Sequence, residues 1–204
     1  MPLACLMLAA FVLWRHARLA LAGLAAALAA WTKNEGAAFL VLFLVAAAFD
    51  AFRRRGRNGL RDVLTIAGGA APAILLVLAF KHTLAPPSYF VEEQTRAQAL
   101  AKLADAGRAG LIARTLGRQL WFSGASIVGV LPIVGALFAV RGPDWKTSAV
   151  PRYALAVMIA MLAIYALAYA VTPKDLPWQL QTSADRVILQ LIPTLVWAVL
   201  SFAA

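Results

Sequence analysis

Cysteine is nearly absent from this 204-residue chain: Cys5 stands alone, so no internal disulfide and no cysteine-based metal site exists. Histidine is scarce too. His16 and His82 are the only two, and neither has the spacing of a transition-metal ligand set. Charge is sparse, at 14% of residues, and acid is the rarer sign, with 9 Asp and Glu against 19 Lys and Arg. What fills the chain instead is apolar: 63% of residues are hydrophobic and the mean hydropathy is +0.79. That balance excludes an ordinary soluble domain and fits a polytopic membrane protein, an all-α bundle of transmembrane helices with a short membrane hairpin and interfacial helices.

The net charge of +10 points to nucleic acid in a soluble protein, but not here. Ten of the nineteen cations fall between apolar runs: Arg15 and Arg18, Arg53 to Arg55 with Arg57 and Arg61, and Arg141, Lys146 and Arg152. Topology and anionic lipid head groups account for such clusters, so membrane lipid is an expected partner and nucleic acid is not.

The feature that stands out is Lys33-Asn34-Glu35-Gly36, in the middle of the apolar stretch Leu19 to Phe49. As one helix these residues would reach about 46 Å, beyond a hydrocarbon core of about 30 Å, and would bury the charges near its centre. Split at the tetrad, they give two halves, Leu19 to Trp31 and Ala37 to Phe49, with arginines at both outer ends. A helical hairpin is expected, its outer ends cytoplasmic and Lys33, Asn34 and Glu35 at its tip. The alternative is a kinked span in which Lys33 and Glu35 neutralise each other.

Further spans are expected over Val63 to Phe80, Leu120 to Val140, Tyr153 to Val171 and Val187 to Ala204, within a single transmembrane domain whose C-terminus is cytoplasmic. Residues 81–119 form an extracytoplasmic loop. It opens at Pro86-Pro87-Ser88, with residues 91–110 read either as a surface helix supported by Glu92 and Arg96 or as a solvated connector, and an interfacial helix with Leu111, Ile112, Leu116 and Leu120 on one face and Arg114 and Arg118 on another. Thr172 to Arg186 reads as a compact polar turn. Met1 to Trp14 lacks the basic start of a signal peptide and reads as half of a span whose beginning is missing, the tail of a longer protein. No internal repeat of the kind found in transporters built from inverted halves is visible.

By this topology Thr32 to Gly36, the loop 81–119 and Thr172 to Arg186 meet one extracytoplasmic boundary. Lys33, Arg186 and Lys174 place cations there, suited to a phosphate or pyrophosphate. Glu35 and Asp175 are carboxylates placed to bond a substrate. Trp178, beside Gln179, Thr182 and Ser183, is either an interfacial aromatic or a stacking surface for a sugar. Asp185 and Arg186 immediately precede the last apolar run, where an N-cap and a snorkelling arginine are the plainer roles.

Thr32-Lys33-Asn34-Glu35-Gly36 resembles a motif of bacterial membrane glycosyltransferases of the GT-C type, related to protein O-mannosyltransferases and lipid A aminoarabinose transferases. Thr172-Pro173-Lys174-Asp175-Leu176-Pro177-Trp178-Gln179-Leu180, followed by Thr182-Ser183-Ala184-Asp185-Arg186, resembles the last external loop of that group. There the chain commonly reads Pro-x-Asp-Leu-x-Trp-His-Leu and then Ser-x-x-Arg; Gln179 here replaces the His. The resemblance implies transfer of a sugar from a polyprenyl-phosphate donor to an extracytoplasmic acceptor at the bacterial inner membrane. It implies Lys33 and Arg186 at the donor phosphate, and Asn34, Glu35, Asp175, Trp178, Gln179, Ser183 and Asp185 around donor or acceptor. It places the catalytic acid in an external loop of a missing N-terminal part of the same enzyme, so no catalytic residue, metal or separate cofactor is assigned. A transporter or flippase using Lys33 and Glu35 as a charge relay, and a non-enzymatic membrane assembly protein, are the alternatives.

Overall fold

The computed structural model describes residues 2–84, 95–122, 129–141 and 149–202. Every regular element there is helical: α1 Pro2–Arg15, α2 Leu19–Thr32, α3 Asn34–Arg55, a 3-10 turn Gly56–Gly59, α4 Leu60–Thr83, α5 Arg96–Leu103, α6 Ala106–Trp121, α7 Val130–Arg141, α8 Ala149–Val171 and α9 Leu176–Phe202. Three stretches are long and apolar enough to cross a membrane: residues 34–83, which are α3, the turn and α4, then α8 and α9. The chain is therefore an all-α helical bundle with membrane-spanning capacity.

The hairpin forms at the expected break, and the kinked span does not. Lys33 is extended (φ −162°, ψ 161°) and has no side-chain cap bond, so it separates α2 from α3. The two helices then pack side by side. A Cβ on Gly36 would lie 1.9 Å from the Ala29 carbonyl oxygen, so only glycine lets α3 fold back this tightly. The arms are unequal: α2 has 14 residues, about 21 Å, whereas α3 continues past Phe49 to Arg55, about 33 Å. Helix continues because Asp50 and Arg54 pair one turn apart at 2.8 Å and the next carbonyls are capped at Gly56, whose φ is +54°.

Alanine and glycine make α2 the centre of the N-terminal half, surrounded by α1, α3 and α4. Ala22, Gly23, Ala26, Ala27 and Ala29 are buried, and at Gly23 the α4 backbone comes so close that a Cβ would meet the Ile66 carbonyl at 2.0 Å. Without a hydrophobic effect between helices in lipid, such close backbone approach is what holds them together. Buried aromatic rings join α1 and α3 to α8: Phe11 meets Phe39 and Phe43 edge-on, and Trp14 stacks on Tyr153 of α8 at 5.7 Å.

Directions follow from the contacts. Arg15 donates to the Ser201 hydroxyl at 2.6 Å, so the end of α1 and the end of α9 share one edge with the arginines around the turn 56–59. Lys81 donates to the Asn34 side-chain oxygen at 3.3 Å, which brings the end of α4 back to the hairpin tip. The tip and the arginine-rich end are thus opposite edges. Single cysteines at the exposed positions Asn34 and Arg53, in a Cys5→Ser background, should label from opposite sides of sealed vesicles with an impermeant thiol reagent. Labelling of both from one side would rule out α3 as a span.

Two expectations are corrected. Thr172 to Arg186 is not a turn ahead of a span starting at Val187; only residues 172–175 are irregular, and α9 begins at Leu176. Leu176, Leu180, Ala184 and Ile188 recur every four residues and are buried against α6 and α8, which makes this polar-looking segment an amphipathic helix. Leu120 to Val140 is not one helix either. Phe122 leaves helical geometry (φ −132°, ψ 76°), and the Gly129 amide returns to the Trp121 carbonyl at 2.9 Å before the 12-residue α7. The loop 81–119 contains α5 and α6, and Ile112 and Leu116 of α6 are buried against the bundle. Its opening Pro86-Pro87-Ser88 and Glu92 lie outside the described residues, as do Gly142 to Ser148 between α7 and α8.

Candidate functional site

Three segments converge at the hairpin-tip edge. Thr172 immediately follows α8, and its carbonyl accepts from Lys102 of α5 at 3.0 Å and from Arg108 of α6 at 3.5 Å; Arg108 also reaches the Tyr169 carbonyl at 3.4 Å. Cations at a helix C-terminus meet its unpaired carbonyls and the negative end of its dipole. They fix the turn 172–175. Asp175 starts α9 by accepting the Trp178 amide at 2.9 Å, an N-cap bond. The capping role expected of Asp185 therefore belongs to Asp175, because α9 begins at Leu176, nine residues before Asp185.

Between α3, α8 and α9 lies a cavity of about 320 Å³ lined by Asn34, Glu35, Tyr165, Tyr169, Gln179 and Ser183 together with apolar neighbours. That size is at the lower end of small-molecule sites, roughly 300–1,000 Å³. One wall is tied in series: the Tyr169 hydroxyl bonds the Ser183 hydroxyl at 2.8 Å, and Ser183 donates to the Gln179 carbonyl at 2.6 Å. Tyr165 donates to the Gln190 side-chain oxygen at 3.4 Å. The Gln179 Oε1, by contrast, is buried with no partner among the described residues. A buried acceptor left unpaired costs about 1–3 kcal/mol, which a donor from a bound molecule recovers.

Beside this cavity, and sharing Asn34 and Glu35 with it, is an open groove of about 500 Å³ lined by Trp31, Lys33, Phe80 and Lys81. Trp31 and Phe80 rings sit 5.9 Å apart across its apolar side. Among the described residues the ion pairs are Arg54 with Asp50 and Arg55 with Asp62, so Lys33 and Glu35 do not neutralise each other. Glu35 in the first turn of α3 suits the helix dipole, and that is its structural role.

Of the residues singled out in the sequence, Asn34, Glu35, Gln179 and Ser183 come together in the cavity, and Lys33 lines the adjoining groove. The others lie elsewhere. Trp178 is 56% exposed, Arg186 donates to the Thr182 carbonyl one turn back at 2.9 Å, and neither lines the cavity or the groove. Asp185 faces a different depression, between α6 and α9, with Arg114 and Arg118. No family model, curated protein or solved structure matches the chain.

Tyr165, Tyr169 and Lys81 are site residues that sequence reasoning passed over. The two tyrosines carried a signal: they stand four residues apart, with polar tips on one face of an otherwise apolar span. Lys81 carried none beyond its charge, because its position depends on α4 returning to the hairpin tip.

Proposed function

We propose that the chain is the donor-binding portion of a GT-C type membrane glycosyltransferase, which moves a sugar from a polyprenyl-phosphate donor to an extracytoplasmic acceptor. The observation that supports this reading is the meeting of two segments 140 residues apart in sequence, 32–36 and 172–186, around one cavity. Those are the segments that resemble the glycosyltransferase motifs. The chemistry of the walls fits the two halves of such a donor. Asn34, Glu35 and the unpaired Gln179 Oε1 are acceptors for sugar hydroxyls. In the adjoining groove, Lys33 and Lys81 hold positive charge for a phosphate next to Trp31 and Phe80, an apolar seat for the first isoprene units. No residue is assigned as the catalytic acid or base. In this reading the hairpin tip faces the extracytoplasmic side of the bacterial inner membrane, and the arginine-rich end and the C-terminus face the cytoplasm.

Binding tests this directly. The purified chain, reconstituted in nanodiscs, should bind polyprenyl-phosphate mannose or polyprenyl-phosphate aminoarabinose in preference to polyprenyl phosphate without sugar. Lys33→Met and Lys81→Met should each weaken both sugar-bearing and sugar-free ligands about tenfold, the lower end of 1.5–3 kcal/mol for a charge-assisted bond, because the groove is open to solvent. Gln179→Leu should instead remove the preference for the sugar and leave sugar-free binding unchanged. A donor that binds no better than a neutral lipid, with all variants inserted, contradicts the proposal.

A further inference from the structure

The opposite edge carries a second binding feature, independent of the first. Gly56 turns the chain with φ +54°, and the 3-10 turn that follows presents Arg57 and Asn58 beside the first turn of α4. Together with Arg55 and Arg61 they line an open groove of about 740 Å³. The neighbouring acids are already engaged: Asp62 pairs with Arg55 at 3.1 Å and the buried Asp50 with Arg54 at 2.8 Å. Among the described residues Arg57 and Arg61 have no carboxylate partner. The other side of the same groove is apolar. Leu60 and Leu64 line it at 51% and 61% exposure, and the exposed face of α4 continues through Leu75 and Leu78.

We propose that this groove binds the head-group phosphate of an anionic phospholipid, its acyl chain lying along Leu60 and Leu64. Two free guanidinium groups match the oxygens of a phosphate in a bidentate manner, which a general cationic surface does not. The apolar strip begins at the groove and runs down a helix long enough to cross a bilayer, so a phosphate tethered to a hydrocarbon chain satisfies both walls. A phosphate without a chain satisfies only one.

The test uses the delipidated, purified chain in a neutral detergent, with bound lipid counted by native mass spectrometry. Palmitoyl-oleoyl phosphatidylglycerol should be retained in preference to the phosphatidylcholine of the same chains. The double variant Arg57→Gln, Arg61→Gln should reduce phosphatidylglycerol affinity at least about tenfold and leave phosphatidylcholine binding unchanged. Arg18→Gln with Arg152→Gln removes the same charge from exposed positions at the same edge but outside the groove, and should bind like the parent. Equal loss in both double variants would reduce the site to diffuse attraction and overturn the proposal. So would displacement of the lipid by millimolar inorganic phosphate, which would mark a free-phosphate site instead. Circular dichroism on each variant separates loss of binding from loss of fold.

Discussion

Gly69→Leu should unfold the N-terminal half of the bundle, whereas Gly68→Ala, one residue away, should leave it intact or slightly more stable. The two glycines adjoin on α4 but face different surroundings. A Cβ at Gly69 would lie 1.9 Å from the carbonyl oxygen of Ala20 in α2, while one at Gly68 meets nothing within 4 Å. The obstacle is backbone rather than the end of a movable side chain, so relief requires α2 and α4 to separate. Separation also exposes the contact around Gly23, where α4 comes equally near, and loosens the small-residue surface that α2 shares with three helices. Over-packing a core costs about 1–3 kcal/mol and occasionally more; two rigid backbones in contact place this case at the top of that range. Gly68→Ala gains up to about 1 kcal/mol in helix propensity. Helix content followed through a denaturing detergent titration reads both. Parent-like stability of Gly69→Leu would mean that α2 and α4 are not packed backbone to backbone.

The hairpin was legible in sequence because its determinants are local: a charged tetrad in an apolar run, with arginines beyond both ends. Its length was less so. The apolar run ends at Phe49, yet α3 continues to Arg55, since a buried Asp50 paired to Arg54 keeps helical geometry where hydropathy has already fallen. The start of α9 was hidden by composition. Polar residues from Gln179 to Arg186 read as a loop, although Leu176, Leu180, Ala184 and Ile188 carried the helical period throughout. The reverse error occurred at 120–140, where continuous hydrophobicity concealed a chain that leaves the helix at Phe122 and folds back at Gly129. Convergence of the two motif segments on one edge followed from counting spans and hydrophobic runs. Which side chains share the cavity did not, because that depends on helix rotation: it turns Gln179 and Ser183 toward α8 and leaves Trp178, their neighbour in sequence, in the open.

The most direct measurement of the central claim, that the cavity between α3, α8 and α9 holds the sugar of the donor, is site-specific photo-crosslinking. Ala38 and Val45 lie on the same helix seven residues apart, about 10 Å along its axis. Ala38 lines the cavity, and Val45 is 62% exposed on the outer surface, where lipid would lie. A photoreactive phenylalanine analogue at each position, irradiated with donor labelled in its sugar, should capture label at position 38 and essentially none at 45. Excess unlabelled donor should abolish the signal, and Gln179→Leu should reduce it several-fold, the equivalent of about 1 kcal/mol for one hydrogen bond. Equal capture at both positions, or capture at 38 that unlabelled donor does not displace, would show the donor moving as bulk lipid around the bundle and would contradict a sugar-binding cavity.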